Sequence, residues 1–350
     1  MSIRLDVLVF DIDGVLIDVS DSYRNAARQT VQLYLEACLG LPPYGGNLVS
    51  HEDVAAFKLV GGFNNDWDLT TGILKYFLTR LDPQPVAHLS PEVTSKEVLS
   101  FLHEAGTYVD TTVEAMRQQK DIFSFTRKLK TVGSGLDAVW KVLGEQNDHL
   151  LFAQGNLRHT NLIKRIFQEL YLGETYFNRE YGEAPLIYNG PGLIQHERLI
   201  ISPQVLAELG KRMSLGIATG RPRNEATYAL EAANVHNWFR SLVTLEDKEQ
   251  TEQKLFEETG QRASLDKPHP FTLLEAVRRI TSGYVRCAYI GDTPDDVRAA
   301  NAAKEEMDFV SIGCLFVARE KEMLRREFER ASADIIVNHP DELLKQVFAH

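Results

Sequence analysis

Two aspartates stand at alternate positions at the end of a short apolar run, where Leu5 to Phe10 leads into Asp11-Ile12-Asp13-Gly14. In an extended chain alternate side chains share a face, so Asp11 and Asp13 can offer two carboxylates to one site. Gly14 lets the chain turn away at once. The same four residues also read as a polar turn that closes a strand. Three further segments carry groups suited to an anionic ligand. Thr219-Gly220-Arg221 falls between an apolar run and a helical stretch, where a hydroxyl and backbone N–H groups either meet a phosphate or form an ordinary helix cap. Lys267 stands in Lys267-Pro268-His269-Pro270, where prolines stiffen the chain around a cation that either neutralises phosphate oxygens or is simply solvated. Gly291-Asp292-Thr293-Pro294-Asp295-Asp296 joins an acidic strand end to a helix start, with Thr293 as cap, Pro294 in the first position and Asp296 in the third. Capping accounts for Asp296 without catalysis, but it does not account for Asp292. Asp11, Asp13 and Asp292 cannot all stay ionised in one site without a compensating cation, so the set requires a metal, Lys267, or both.

The elements that must position these groups alternate. Leu5 to Phe10 reads as a buried parallel strand. From about 19 to 194 the pattern is helical: Tyr23, Ala27, Val31 and Tyr34 or Leu35 share a face, and Ser50 with Asp53 forms a capping-box-like start. Further helical patterns cover 67–81, 90–105 and 156–172. After Gly192 strands and helices alternate, with strands at 215–218, 241–245, 285–290, 308–312 and 333–337. Helices fall at Ser202-Pro203 onward, 222–233, 271–280 and from about Pro340, and the polar stretch 247–266 is an extended surface loop or an added helix. This predicts an α/β fold, a doubly wound, Rossmann-like parallel sheet with helices on both faces and an inserted, mainly helical domain.

Taken in order and in these settings, the four segments resemble the four motifs of the haloacid dehalogenase superfamily. The likeness covers a core at 1–18 and 200–350, while 19–199 resembles the helical (C1-type) cap that sets substrate specificity. It implies Asp11 as nucleophile, forming an aspartyl-phosphate, and Asp13 as acid and base. Thr219 and Lys267 would hold the transferring phosphoryl oxygens. Asp292 would complete a magnesium site with an Asp11 oxygen and the Asp13 backbone carbonyl, and Asp296 would steady Lys267 or a metal-bound water. The expected activity is magnesium-dependent hydrolysis of a small phosphorylated metabolite. A phosphomutase using the same core is an alternative, and a non-catalytic phospholigand-binding protein is another from a different class. Haloacid dehalogenation uses one carboxylate and no metal, so Asp13 with Asp292 argues against it; phosphonate hydrolysis would need a Schiff-base lysine from the cap, for which Lys58 is a candidate that nothing else in the sequence supports.

The segment Phe57 to Trp67 resembles a cap segment in an uncharacterised subgroup of these hydrolases. Its Lys58, Asn64, Asn65, Asp66 and Trp67 beside two glycines suit a loop dipping towards a ligand, or equally an interhelical turn with Trp67 in the core. Gly220 and Arg221 are candidate phosphate contacts; Arg221 either meets a second anionic group of the substrate, caps a helix or pairs with an acid. His51, His103 and His159 show no ligand spacing. The net charge of -11 and the lack of a Lys/Arg-rich run argue against a nucleic-acid partner. Three dispersed cysteines point to a reducing compartment, and no signal peptide or membrane span is evident, which together give a cytoplasmic, soluble protein. Oligomeric state has no sequence signature.

Overall fold

Every residue of the strand Val7–Phe10 (β1) is buried, as befits a run that is apolar on both faces and lies inside a parallel sheet covered by helices. In the computed structural model, residues 5–63, 65–81, 93–318 and 320–348 are described. They fall into two units, Met1–Ser20 with Glu197–His350, and Asp21–His196.

In the first unit the chain continues through Ile17–Asp18 (β2), Arg198–Leu199 (β3), Ser214–Ala218 (β4), Phe239–Val243 (β5), Arg286–Gly291 (β6), Asp308–Cys314 (β7) and Ile335–Val337 (β8). Six of these form one sheet in the order β5-β4-β1-β6-β7-β8, and every pairing in it is parallel. The α/β, doubly wound parallel sheet is therefore the fold. β2 and β3 pair antiparallel as a separate ribbon, with Ile17 opposite Leu199; strands of two residues are too short to leave a periodic pattern in sequence. β1 is central, with Phe10 in register with Ile217 on one side and Ile290 on the other. The switch from β1 outward in both directions puts a crevice beyond the carboxyl ends of β1, β4 and β6. One face of the sheet is sealed by Val7, Val9, Cys287 and Tyr289 packing against Leu273, Val277, Ala299 and Ala303 of the helices Phe271–Arg278 and Pro294–Ala303. Burial of such side chains contributes roughly 1.5–3 kcal/mol each for the larger ones, which fixes the strand ends that carry the polar groups.

The expected elements recur with shifts at their ends. β5 closes at Val243, because Thr244 forms a capping box with Asp247 that starts the helix Leu245–Thr259; the polar 247–266 stretch is thus largely helix. The helix Lys321–Arg330 is an element beyond those expected: its apolar face is narrow, with Phe328 buried and Leu324, one turn away, packed beside the same cluster.

The second unit is helical. Tyr23–Leu33 packs against Asp66–Leu78 and Leu162–Tyr181, with Tyr23 stacked on Tyr171 at 4.2 Å between ring centroids. The Ser50 and Asp53 capping box forms as the sequence implies. The expected helix at 90–105 is found as Ser95–Gly106, and residues 90–92 lie outside the described residues. Helices Val113–Gln119, Ile122–Val132 and Gly135–Leu143 complete the unit without having been individually read from sequence. Among the described residues no helix is long and apolar enough to cross a membrane.

Candidate active site

Beyond Phe10 the chain leaves the sheet only gradually: the Asp11 N–H still donates to the Ile290 carbonyl at 3.0 Å. This places the Asp11 carboxyl group at the centre of the sheet's C-terminal edge. Gly14 then turns with φ of +73°, and a Cβ there would lie 2.1 Å from Asp292 Oδ2. Glycine is required twice over, once for the left-handed backbone and once to leave room for the Asp292 carboxylate. Asp292 follows β6 directly, one strand over from Asp11. Carboxylate oxygens of Asp11, Asp292 and Asp296 all lie within 4.8 Å of one another.

Lys267 is set into this acidic group. Its Nζ is 2.9 Å from Asp11 Oδ2 and 2.8 Å from Asp296 Oδ1, and its side chain is only 10% exposed. Burial alone would push the ammonium towards neutrality, but the Asp11 and Asp296 charges outweigh it and hold the pKa well above the ordinary lysine value. Asp296 divides its two oxygens between two tasks. Oδ2 accepts from the Thr293 N–H at 2.9 Å and the Thr293 hydroxyl at 2.7 Å, completing a capping box at the start of Pro294–Ala303. Oδ1 faces Lys267. Asp296 therefore both caps the helix and pairs with Lys267.

Tyr289 is a member of the cluster that sequence reasoning missed. Its hydroxyl accepts from Lys267 Nζ and lies 3.2 Å from the Ala218 carbonyl and 3.3 Å from Asp296 Oδ1. Its burial, reinforced by Asp11 and Asp296, raises its pKa well above the usual phenol value, so it acts as a neutral dipole beneath Lys267. Nothing but a polar-tipped aromatic in the run 285–290 hinted at it.

Asp11 is the titrating centre of the group. Burial lifts its pKa to about 6, against the opposing pull of Lys267, with Asp296 and Asp13 adding to the rise. A carboxyl group in this state is a poor permanent anion and a good site for a compensating cation. The hard oxygen donors of Asp11 and Asp292, close together and half enclosed, suit a divalent ion such as magnesium. The Asp13 carboxylate is not among the oxygens gathered there: its Oδ1 takes the Arg221 Nε–H at 2.6 Å.

Thr219, directly after β4, is buried. Its N–H donates to the Val243 carbonyl at 3.0 Å, and its hydroxyl oxygen accepts from the Arg221 N–H at 3.2 Å. Gly220 lies between them at the mouth of the helix Arg223–Ala232. Of the roles open to Arg221, pairing with acids is the one observed. Its side chain is 1% exposed and meets Asp13 and Glu197. Glu197 was a second residue missed, since nothing in the sequence around it links it to Arg221.

The candidate residues of the helical unit have local partners. Lys58 Nζ is 3.0 Å from Asp66 Oδ1. Asn65 caps the helix Asp66–Leu78 by accepting from the Trp67 N–H at 2.8 Å, and the Lys164 ammonium sits 3.7 Å over the Trp67 ring. These contacts are those of an interhelical turn. Asn64 lies outside the described residues.

Comparisons with known proteins bear on the family and the fold. The family model described as "Hydrolase: haloacid dehalogenase-like hydrolase" matches residues 5–304. Phosphatase Tt82 from Thermococcus thioreducens is similar in structure, with a TM-score of 0.51 and 24% identity over 92% of this chain and 99% of that one. A structural-genomics target aligns with a TM-score of 0.59 and 21% identity over 97% of each chain. At these identities the two structures speak to the fold. A protein named imidazoleglycerol-phosphate dehydratase from Phytophthora nicotianae is 23% identical over 305 residues, 87% of this chain. The chain spans only 42% of the length of that relative.

Proposed function

Because the chain belongs to the haloacid dehalogenase-like hydrolases, we propose that it is a magnesium-dependent phosphatase that hydrolyses a small phosphorylated metabolite through an aspartyl-phosphate on Asp11. The observation that carries this reading is the convergence of Asp11, Asp292 and Lys267 at the carboxyl ends of β1 and β6, with Asp13 two residues from the nucleophile. In the first step an Asp11 oxygen attacks phosphorus in line, the P–O bond to the organic group breaks, and Asp13 gives its proton to the leaving oxygen. In the second step Asp13 takes a proton from water as that water attacks the phosphoryl group, releasing inorganic phosphate and restoring Asp11. Lys267 and the Thr219 hydroxyl bind the transferring oxygens, where transition-state charge accumulates. Asp11, Asp292 and the Asp13 carbonyl would hold magnesium, which when bound supplies charge compensation for phosphate oxygens beside a carboxylate nucleophile. The unit 21–196 would serve as the cap that selects the organic group.

The test is a panel of phosphate esters with and without magnesium. Turnover should require the ion and vanish on thorough chelation; full activity after chelation would remove the metal from the account. Imidazole-bearing alcohol phosphates belong in the panel because of the phosphate ester in the name of the Phytophthora relative. Ion binding should also respond to acid. With Asp11 titrating at about 6 in the metal-free protein, a proton must leave before its oxygen can bind the ion, so affinity should fall as pH drops below that value. Between pH 7.5 and 5 the loss is about tenfold for a single displaced proton. Calorimetric magnesium titrations that gave equal affinities at both pH values would contradict this.

A further inference from the structure

Arg221 is one of the largest fully buried side chains among the described residues, and its guanidinium meets two carboxylates there. One edge of its guanidinium, Nε and Nη2, converges on a single oxygen of Asp13, Oδ1, at 2.6 and 2.5 Å. The other edge meets Glu197 as a fork, Nη1 to Oε2 at 3.0 Å and Nη2 to Oε1 at 3.1 Å. Fixing a planar group along two edges removes its rotational freedom, and a buried ion pair of this kind gains little stability over apolar side chains of the same volume. Stability alone is therefore a weak reason for it. The Asp13 side chain keeps 26% exposure, against 1% for Arg221 and 5% for Glu197, so the exposed end of the trio is the Asp13 carboxyl group.

We infer that Glu197 and Arg221 are positioning residues: they hold Asp13 by Oδ1 so that Oδ2 is the atom that passes the proton to the leaving oxygen and later takes one from water. This rests on the phosphohydrolase reading above. Glu197 is the first residue of its unit after the inserted segment, and the next two residues, Arg198 and Leu199, pair with β2 just downstream of Asp13. The ribbon thus ties Glu197 to the loop whose carboxylate it orients. In the proton step the new bond at phosphorus is the one from the Asp11 oxygen. The proton on Oδ2 moves to the departing alkoxide oxygen as the P–O bond breaks, and Asp13 is left as a carboxylate.

The experiment uses the full chain with magnesium and two substrates, p-nitrophenyl phosphate, whose leaving group needs little protonation, and glycerol 2-phosphate, whose leaving group needs it fully. Reading kcat/KM isolates the first step. For Glu197→Gln we expect kcat/KM on glycerol 2-phosphate to fall about tenfold or more while that on the nitrophenyl ester falls less than about threefold. Glu197→Asp, which keeps a carboxylate, should recover part of the difference. Arg221→Lys offers one nitrogen in place of a two-edged plane and should repeat the pattern, so either variant that folds is informative. Equal losses on the two substrates, or none, would overturn the positioning role. Hydrolysis of neither ester by the unaltered protein, nor of any other phosphate ester, would instead remove the phosphohydrolase reading and this inference with it.

Discussion

Asp11→Asn is expected to lower turnover of p-nitrophenyl phosphate by roughly 10⁴-fold or more. The amide keeps the size and shape of the side chain and can still accept from Lys267. What it loses is the nucleophilic oxygen, while Asp13 Oδ1 is held by Arg221 and Asp296 is engaged by Thr293 and Lys267. Asp13→Asn should differ in kind. It retains the nucleophile, so kcat/KM on an activated ester should survive better than kcat, which should fall by about 10²–10⁴-fold as the water step loses its base. Steady-state kinetics on the two variants check this. Comparable activity in Asp11→Asn and the unaltered protein would require a different nucleophile.

Lys267→Met should produce the largest change in stability. The ammonium lies between two buried carboxylates at 2.9 and 2.8 Å, and removing it strands both. Breaking a buried pair by deleting one partner costs about 3–5 kcal/mol, on the order of 10 °C in the melting temperature of the metal-free protein. The dependence on pH has a definite sign. The folded pKa of Asp11 is already raised to about 6 by burial, and Lys267 is the largest influence holding it down; without it the value rises further. A carboxyl group with a folded pKa above its unfolded one binds a proton on folding, so its contribution is fullest in acid and is lost as pH rises through the folded value. The stability deficit of Lys267→Met should therefore be large at pH 7.5 and shrink at pH 5. Denaturation curves showing a deficit independent of pH, or none, would mean that Lys267 does not carry the charge balance of the site.

How far the site could be read from sequence depended on whether the relevant physics was local. Alternation along a strand is a two-residue rule and set Asp11 beside Asp13, but both lie beyond the strand Val7–Phe10, and the carboxylates gathered with Asp11 are those of Asp292 and Asp296, while Asp13 turns to Arg221. Asp292 was legible because the capping chemistry of Thr293 and Asp296 left it unexplained. Asp296 read two ways, as a cap and as a partner of Lys267, because its capping box is local while the Lys267 pair joins residues distant in sequence. Arg221 was open among several roles because its partners come from 208 and 24 residues away, a distance at which no local pattern survives. Tyr289 was invisible for the opposite reason: it fits an apolar strand and packs in the core on its ring, so only its hydroxyl, in three dimensions, reveals what it touches.

The sheet followed from alternating strand and helix signals, and its errors are at element ends. Thr244 reads as the tail of a strand until its capping box with Asp247 is seen. In the helical unit Lys58, Asn65, Asp66 and Trp67 gave a polar composition without a geometry. The contacts found there, an ion pair, a cap and a cation over an indole, are made between residues of the same unit.

The central claim is covalent: the phosphoryl group passes through Asp11. Its most direct test is mass spectrometry of Asp13→Asn protein quenched in acid during reaction with p-nitrophenyl phosphate and magnesium. With the base missing from the water step the intermediate should accumulate, and a phosphoryl adduct should map to the peptide containing Asp11 and be absent from Asp11→Asn treated alike. An adduct on another residue, or its persistence in Asp11→Asn, would contradict the account.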